Sequence, residues 1–570
     1  MPASVASAFV FKMSSLKFIV FLFLVAMVIS QECKDLIVNT VNGELLGESR
    51  VSTGGRKFVS FLGVPYASPP IGEFRFKDPQ PMPPWTGVWN STRIPPACLQ
   101  FDPTINGIIG SEDCLFVNVH TPNLSPNASL PVVIFIHGGA FVYGAGGQFD
   151  GVHMMDRDVV LVTVNYRLGP LGFLSTGDTV IPGNTGLKDQ SFALKWVRDN
   201  IKVFGGNPDS VTLTGLSVGG ASVHYHYLSP LSKGLFHRGI AFSGSAFSPW
   251  AYSTKPVQKA KELASLVGCA TNNSREMAEC LRYRPGDMLV EAQIEMFDWR
   301  MKWLNIFAPT AEDSATKVPF LTQHPYVASQ AGAMQRLPLV ASVTSDEGLY
   351  PAAAYQREPT ILPELEARWE ELASNIFDYN DTLPISTRSS VANRIKQKYL
   401  EGRPVSQNTF EELVQALGDR LLKSDVGKMP LIHASRSRQP TYFYRFSYKW
   451  QYSFSNILAR NYESYGVSHA DDVILVLKFL PTETTRAEDL QMRAALLDMI
   501  YSYATTGVPK LPNAPTWLKV KPDQTELSYM EIAGPRDMTM KSSADFGNKT
   551  FWSSLGFNEN ENYNGIYNEF

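Results

Sequence analysis

The sequence predicts an α/β fold, a large and mostly parallel central sheet with helices on both faces and an antiparallel N-terminal lead-in. Three observations carry that prediction. Residues 115–120, 132–136, 159–164, 211–213, 239–242 and 337–343 are apolar, β-branched runs bounded by turn residues. Helical segments such as 187–204 lie between them. Runs that are apolar throughout suit strands covered on both faces, and strands that alternate with helices imply parallel pairing. Several of the runs also stop abruptly in glycine, serine or acidic residues. In open parallel sheets, chemistry gathers at those carboxyl ends.

Taken in order, the chain begins with Lys12 and Lys17, an apolar run at residues 18–29, and then Ser30-Gln31-Glu32-Cys33. The run is too short to span a bilayer, so residues 1–30 read as a cleaved secretion signal. Residues 36–46 and 58–64, separated by Gly54-Gly55, supply the antiparallel lead-in. The proline-rich stretch 65–84 is neither helix nor central strand, so it wraps the surface. No linker, charge run or repeat divides the remainder, and residues 31–570 are expected to form a single catalytic domain. A net charge of −3 with scattered Lys and Arg gives no footprint for nucleic acid or an anionic membrane. The last residues, Tyr567-Asn568-Glu569-Phe570, are neither a hydrophobic tail nor a retrieval signal. The mature protein is expected to be extracellular, with no stable membrane anchor.

Export changes how the five cysteines are read, since an oxidising compartment favours disulfides over metal thiolates. Cys98 with Cys114, and Cys269 with Cys280, are close enough in sequence to close short loops, which leaves Cys33 over. Sequons at Asn90, Asn127, Asn272, Asn380 and Asn548 fit a glycosylated surface. Pro126 directly follows a sixth, at Asn123, and disfavours it. No cysteine spacing suits zinc. His224 and His226 are two apart on a helix, so they diverge and do not share an ion.

The stretch with most chemical content is Gly215-Leu216-Ser217-Val218-Gly219, which follows a β-branched run and opens the helical stretch 221–228. A serine between strand and helix, flanked at two places by glycine, is the pattern of a nucleophile elbow. The five residues alone arise by accident in roughly one chain of this length in five, so the flanking strand and helix carry the weight. Upstream, the run 132–136 stops in His137-Gly138-Gly139-Ala140-Phe141. Bare glycine N–H groups there, joined by the N–H of Val218, suit the oxygen of a tetrahedral intermediate. His137 itself reads as a turn-stabilising side chain.

A serine needs a base and an orienting acid, and in this type of fold the chain order is serine, acid, histidine. The run 337–343 leads into the acidic pair Asp346-Glu347, and only His433 and His469 follow it. His433 sits in an ordinary helical segment. His469 lies in a loop, after a strand at 442–448 and before a helix at 473–479, and elimination favours it.

Residues 61–76 (FLGVPYASPPIGEFRF), 111–119 (SEDCLFVNV), 165–173 (NYRLGPLGF), 183–190 (GNTGLKDQ) and 204–220 (FGGNPDSVTLTGLSVGG) resemble the type-B carboxylesterase and cholinesterase family, and most closely its secreted insect carboxylesterases. The resemblance implies an α/β-hydrolase fold without a metal or organic cofactor. It implies a Ser217–Glu347–His469 triad and an oxyanion hole from Gly138, Gly139 and Val218. It further implies disulfides Cys98–Cys114 and Cys269–Cys280, structural ion pairs Arg75–Glu112 and Arg167–Asp189, and Ser243 near the triad. The expected function is secreted hydrolysis of neutral, small-molecule carboxylic esters through an acyl-enzyme.

Departures bear on substrate. Leu216 stands where cholinesterases carry a glutamate, and the loop between Cys98 and Cys114 lacks the tryptophan that holds choline there. Juvenile hormone esterases usually carry Gln and Ala where Leu216 and Val218 stand, although Gly466-x-x-His469-x-x-Asp472 suits that group. Three other readings are a juvenile hormone esterase, an interfacial lipase, for which no separate lid is found, and a silent adhesion protein, disfavoured because all three triad positions are filled. Phe141, Trp299, Trp303 and Phe307 either line the gorge or fill the core.

Overall fold

Most of the apolar runs pair side by side. A computed structural model describes residues 36–297, 299, 306–479 and 483–565; the expected signal at 1–30, Cys33 and Trp303 lie outside them. Its main sheet has eleven strands: β1 (Glu48–Val51), β2 (Lys57–Pro65), β3 (Phe116–Thr121), β4 (Leu130–Ile136), β5 (Val160–Val164), β6 (Gly206–Leu216), β7 (Arg238–Phe242), β8 (Leu339–Thr344), β9 (Thr441–Phe446), β10 (Leu527–Gly534) and β11 (Asp537–Ser543). The spatial order is β11-β10-β9-β8-β7-β6-β4-β5-β3-β2-β1. Pairing is parallel from β5 through β4, β6, β7, β8 and β9 to β10.

The central strands bury both faces. Val132, Ile134 and Ile136 of β4 point into one apolar cluster, while Val133 and Phe135 point into the other. That is the physical reason these runs lack alternation. Helices α1 (Thr185–Asn200), α2 (Val218–Leu228), α4 (Ser424–Ser437) and α5 (Ala487–Thr506) are among those that cover the sheet, while α3 (Phe410–Gly418) packs on neighbouring helical segments.

Three sequence expectations are corrected. The run 115–120 was grouped with the parallel strands, yet β3 is antiparallel to both neighbours, because an apolar run reports burial on both faces and not strand direction. Residues 36–46 do not join the lead-in; Ile37–Asn39 and Glu44–Leu46 form a separate small sheet with Val88–Asn90. The helix expected at 473–479 is α-helical only over Asp471–Ile474. The closing hairpin β10–β11 was not anticipated, since its polar, largely exposed outer strand carries little apolar signal.

Cys98–Cys114 and Cys269–Cys280 are disulfide-bonded. Arg167 and Asp189 form a two-pronged pair (Nη2–Oδ1 2.6 Å, Nε–Oδ2 2.7 Å) with almost no exposure, and Arg75 pairs with Glu112. Removing one partner leaves a bare charge in the interior, which typically costs about 3–5 kcal/mol. Asp189→Asn is therefore expected to lower the unfolding free energy extracted from urea titration by that amount without changing activity per folded molecule, as paired denaturation and titrated-rate measurements would show.

Candidate active site

Sheet register brings the loaded strand ends together. Ile136 lies opposite Gly215, Leu216 opposite Phe242, and Phe242 opposite Ser342. The residues that follow, His137-Gly138-Gly139, Ser217, Ser243 and the 345–348 turn, emerge from neighbouring strands at one edge.

Ser217 occupies a tight turn at φ 61°, ψ −122°, between β6 and α2, and its N–H donates to the Phe242 carbonyl at 2.8 Å. The strand and helix approach so closely that a Cβ on Gly219 would lie 2.1 Å from the Ile136 oxygen, and one on Gly215 would lie 2.3 Å from the Gly219 oxygen. Only glycine is compatible with either contact. Gly139, at φ 111°, has the same constraint, since a Cβ there would fall 1.9 Å from the Tyr143 oxygen. Among the described residues, the N–H groups of Gly138, Gly139 and Val218 donate to no other protein group. Val218 is the first residue of α2, so the positive end of that helix also faces the serine.

The acidic pair divides its work. Glu347, fully buried, accepts from Thr344 N–H at 2.7 Å and Ser243 Oγ at 2.6 Å through Oε1, and its Oε2 lies 2.6 Å from His469 Nδ1. That contact assigns the proton to Nδ1. His469 Nε2 is buried and has no protein partner. Asp346 instead ties down the histidine loop: its Oδ2 accepts from Val467 N–H at 2.8 Å, and its own N–H donates to the Val467 carbonyl at 3.0 Å.

Two residues that sequence reasoning left without a role also hold this loop. Asp471 accepts from Ser468 N–H at 2.9 Å and Phe454 N–H at 2.7 Å, and Asp472 accepts from Tyr444 Oη at 2.7 Å. Burial pushes the Asp472 carboxyl up to about 6, against the lowering effect of the Tyr444 hydrogen bond, and the Glu347 charge adds to the rise. An acidic pair two residues after a histidine was the available signal.

The other histidines are occupied elsewhere. His433 Nε2 donates to the Leu337 carbonyl at 2.9 Å, and burial lowers the ring to about 4. His137 Nδ1 donates to the Gly138 carbonyl at 2.8 Å and its ring stacks on Tyr166. His224 and His226 are held by separate partners, Ser245 and Ser232 with Gln190. No group of metal-ligating side chains is found among the described residues.

Ser217, Tyr350 and His469 line two adjoining lobes of one cavity. A lobe of about 340 Å³ is completed by Ala140, Val218, Trp250, Leu421 and Leu422. The other, about 470 Å³, includes Gly138, Gly139, Tyr143, Gln148, Phe149, Leu216, Phe454 and Phe479. The Tyr350 ring sits 5.3 Å from His469, and its hydroxyl lies 3.2 Å from that of Tyr143. Phe141, Trp299 and Phe307 line neither lobe and pack in the apolar interior, Phe141 against Phe173 and Trp299 against Tyr355.

A model of the carboxylesterase family matches residues 34–552. The chain belongs to that family. This carboxylesterase is 40% identical over 533 residues to a carboxylic ester hydrolase of Bombus ignitus, covering 92% of this chain and 95% of the relative. It is 39% identical over 532 residues to venom carboxylesterase-6 of Apis mellifera, with the same coverage. A crystal structure of juvenile hormone esterase from Manduca sexta, with OTFP covalently attached, superposes with a TM-score of 0.80 at 27% identity, covering 91% of this chain and 99% of that one. The fold is accordingly that of an α/β-hydrolase, and the reaction class is hydrolysis of carboxylic esters.

Proposed function

We propose that this carboxylesterase is a secreted serine esterase in which Ser217, His469 and Glu347 act as nucleophile, base and orienting acid. The observation that carries the reading is the unpartnered, buried Nε2 of His469, which shares a cavity with Ser217 while Glu347 holds the opposite ring nitrogen. His469 takes the serine proton as the oxygen attacks the ester carbonyl. Glu347 keeps the proton on Nδ1 and stabilises the imidazolium that forms. The N–H groups of Gly138, Gly139 and Val218 receive the oxyanion, each donor worth on the order of 3 kcal/mol. His469 then protonates the departing alcohol, and water in the alcohol's place releases the acid. A fluorophosphonate probe tests the assignment: labelling mapped to Ser217 supports it, and an active protein left unlabelled there overturns it.

Secretion rests on the apolar run at 18–29 and on two disulfides, which persist in oxidising compartments. Asn90, Asn127 and Asn272 are exposed and suited to carry sugar. Asn380 and Asn548 are half-buried, and their Nδ2 atoms donate to Asn375 and Asp419, both at 2.7 Å.

The substrate is a neutral ester. No carboxylate is among the described residues lining either lobe, and Leu216 occupies the position beside the nucleophile. Acetylthiocholine is expected to be at least about thirtyfold poorer in kcat/KM than a neutral aryl acetate, the factor carried by a ~2 kcal/mol cation anchor. Comparable values for the two in one assay would contradict the reading. Juvenile hormone belongs in the same panel, given the structural likeness to its esterase.

A further inference from the structure

The helical stretch that walls the smaller lobe is interrupted where it meets the cavity. Between α3 and α4, residues Asp419–Lys423 form a π-turn, in which the Ser424 N–H donates five residues back to the Asp419 carbonyl. Such turns occur frequently at functional sites. This one divides its side chains between two sides. Leu421 and Leu422 face the lobe, and the Leu421 carbonyl accepts the indole N–H of Trp250, another lining residue, at 2.7 Å. Arg420 points away and is almost fully buried, 2% exposed.

A buried guanidinium needs partners, and the C-terminal segment supplies the charged one. Arg420 pairs with Glu559 (Nη1–Oε1 2.5 Å, Nη2–Oε2 3.2 Å), donates to the Phe377 and Asp378 carbonyls at 3.0 Å each, and lies 4.2 Å from the Phe557 ring centre. Next to it, Asn560 Nδ2 donates to the Phe247 carbonyl at 2.9 Å and to Asp425 at 3.1 Å, so the same segment also reaches the stretch that carries Trp250. Lys428 extends the contact through Glu561 at 3.0 Å.

We propose that the C-terminal residues 557–561 brace the π-turn through Arg420, so that Leu421 and Leu422 are held as the wall that limits acyl-chain length. The inference rests on the triad assignment above. The acyl group is given the smaller lobe because deacylation puts water where the alcohol was. Apart from Ser217, His469 and the Tyr350 ring, the smaller lobe is apolar, whereas Tyr143 and Gln148 make the larger one fit for a departing alcohol and an entering water. Glu559 and Arg420 are positioning residues in this scheme and touch no substrate.

The test compares p-nitrophenyl acyl esters from acetate to decanoate with butyrate esters of graded alcohols, every rate normalised to the fraction labelled by a fluorophosphonate. Burying one methylene is worth about fourfold. Leu422→Ala is therefore expected to raise the octanoate-to-butyrate ratio of kcat/KM at least tenfold, chiefly through KM. Glu559→Ala should raise that ratio at least fivefold, and Glu559→Gln by less, with the alcohol series constant within twofold. A merely structural loss would scale all substrates together. If Glu559→Ala does not fold, Glu559→Gln and Leu422→Val carry the same comparison with smaller shifts. A folded, labelled Glu559 variant with an unchanged acyl profile, or a shift in the alcohol series instead, overturns the brace and leaves the triad standing. Hydrolysis that persists without Ser217 overturns the triad instead.

Discussion

Ser217→Ala is expected to lower kcat for a short p-nitrophenyl ester by about a millionfold, the loss typical of removing a serine nucleophile. The fold should survive. Ser217 holds its left-handed backbone through the Phe242 carbonyl contact and the two close-packed glycines, none of which involves its hydroxyl. An unchanged melting temperature with abolished turnover is therefore the expected pair of measurements. Turnover near the parent's, in protein shown by mass spectrometry to carry alanine, would remove Ser217 from the mechanism.

Glu347→Gln is expected to cost about ten-thousandfold in kcat with little change in KM. Glutamine keeps the shape but not the charge. Its amide can present an N–H to His469, which favours the tautomer with the proton on Nε2, where it can no longer accept the serine proton. Thr344 N–H and Ser243 Oγ, both aimed at Oε1, favour an oxygen there and so leave the amide nitrogen to face the ring. Asp346→Asn should cost far less, since Asp346 contacts the histidine loop through the backbone of Val467 and not the imidazole. Equal losses from the two substitutions, measured as kcat of titrated enzyme, would contradict this division.

Legibility differed by residue. The elbow was readable because its constraint is local: two glycines and a serine within five residues are fixed by one turn, whatever surrounds them. That His469 meets Glu347 while His433 bonds a backbone carbonyl agrees with their contexts, one in a loop and the other in a helical pattern. Which acid faces the imidazole was not readable from the pair itself. Asp346 and Glu347 are adjacent, and only the path of the 465–470 loop across β8 decides that one meets backbone and the other meets the ring. The cavity lining was equally hidden. Trp250, Leu421 and Leu422 come from distant parts of the chain, and apolar side chains facing a cavity have the same composition as those facing a core. Phe141 and Phe307, by the same logic, turned out to be core.

The sequence by itself determined the parallel centre of the sheet, the positions of the tight turns and the residue types at each strand end, because periodicity and glycine stereochemistry act over a few neighbours. Tertiary structure alone decided the register that sets those strand ends side by side, the antiparallel placement of β3, and the π-turn held from behind by Glu559. Those depend on contacts between residues tens to more than a hundred positions apart, which no local pattern encodes.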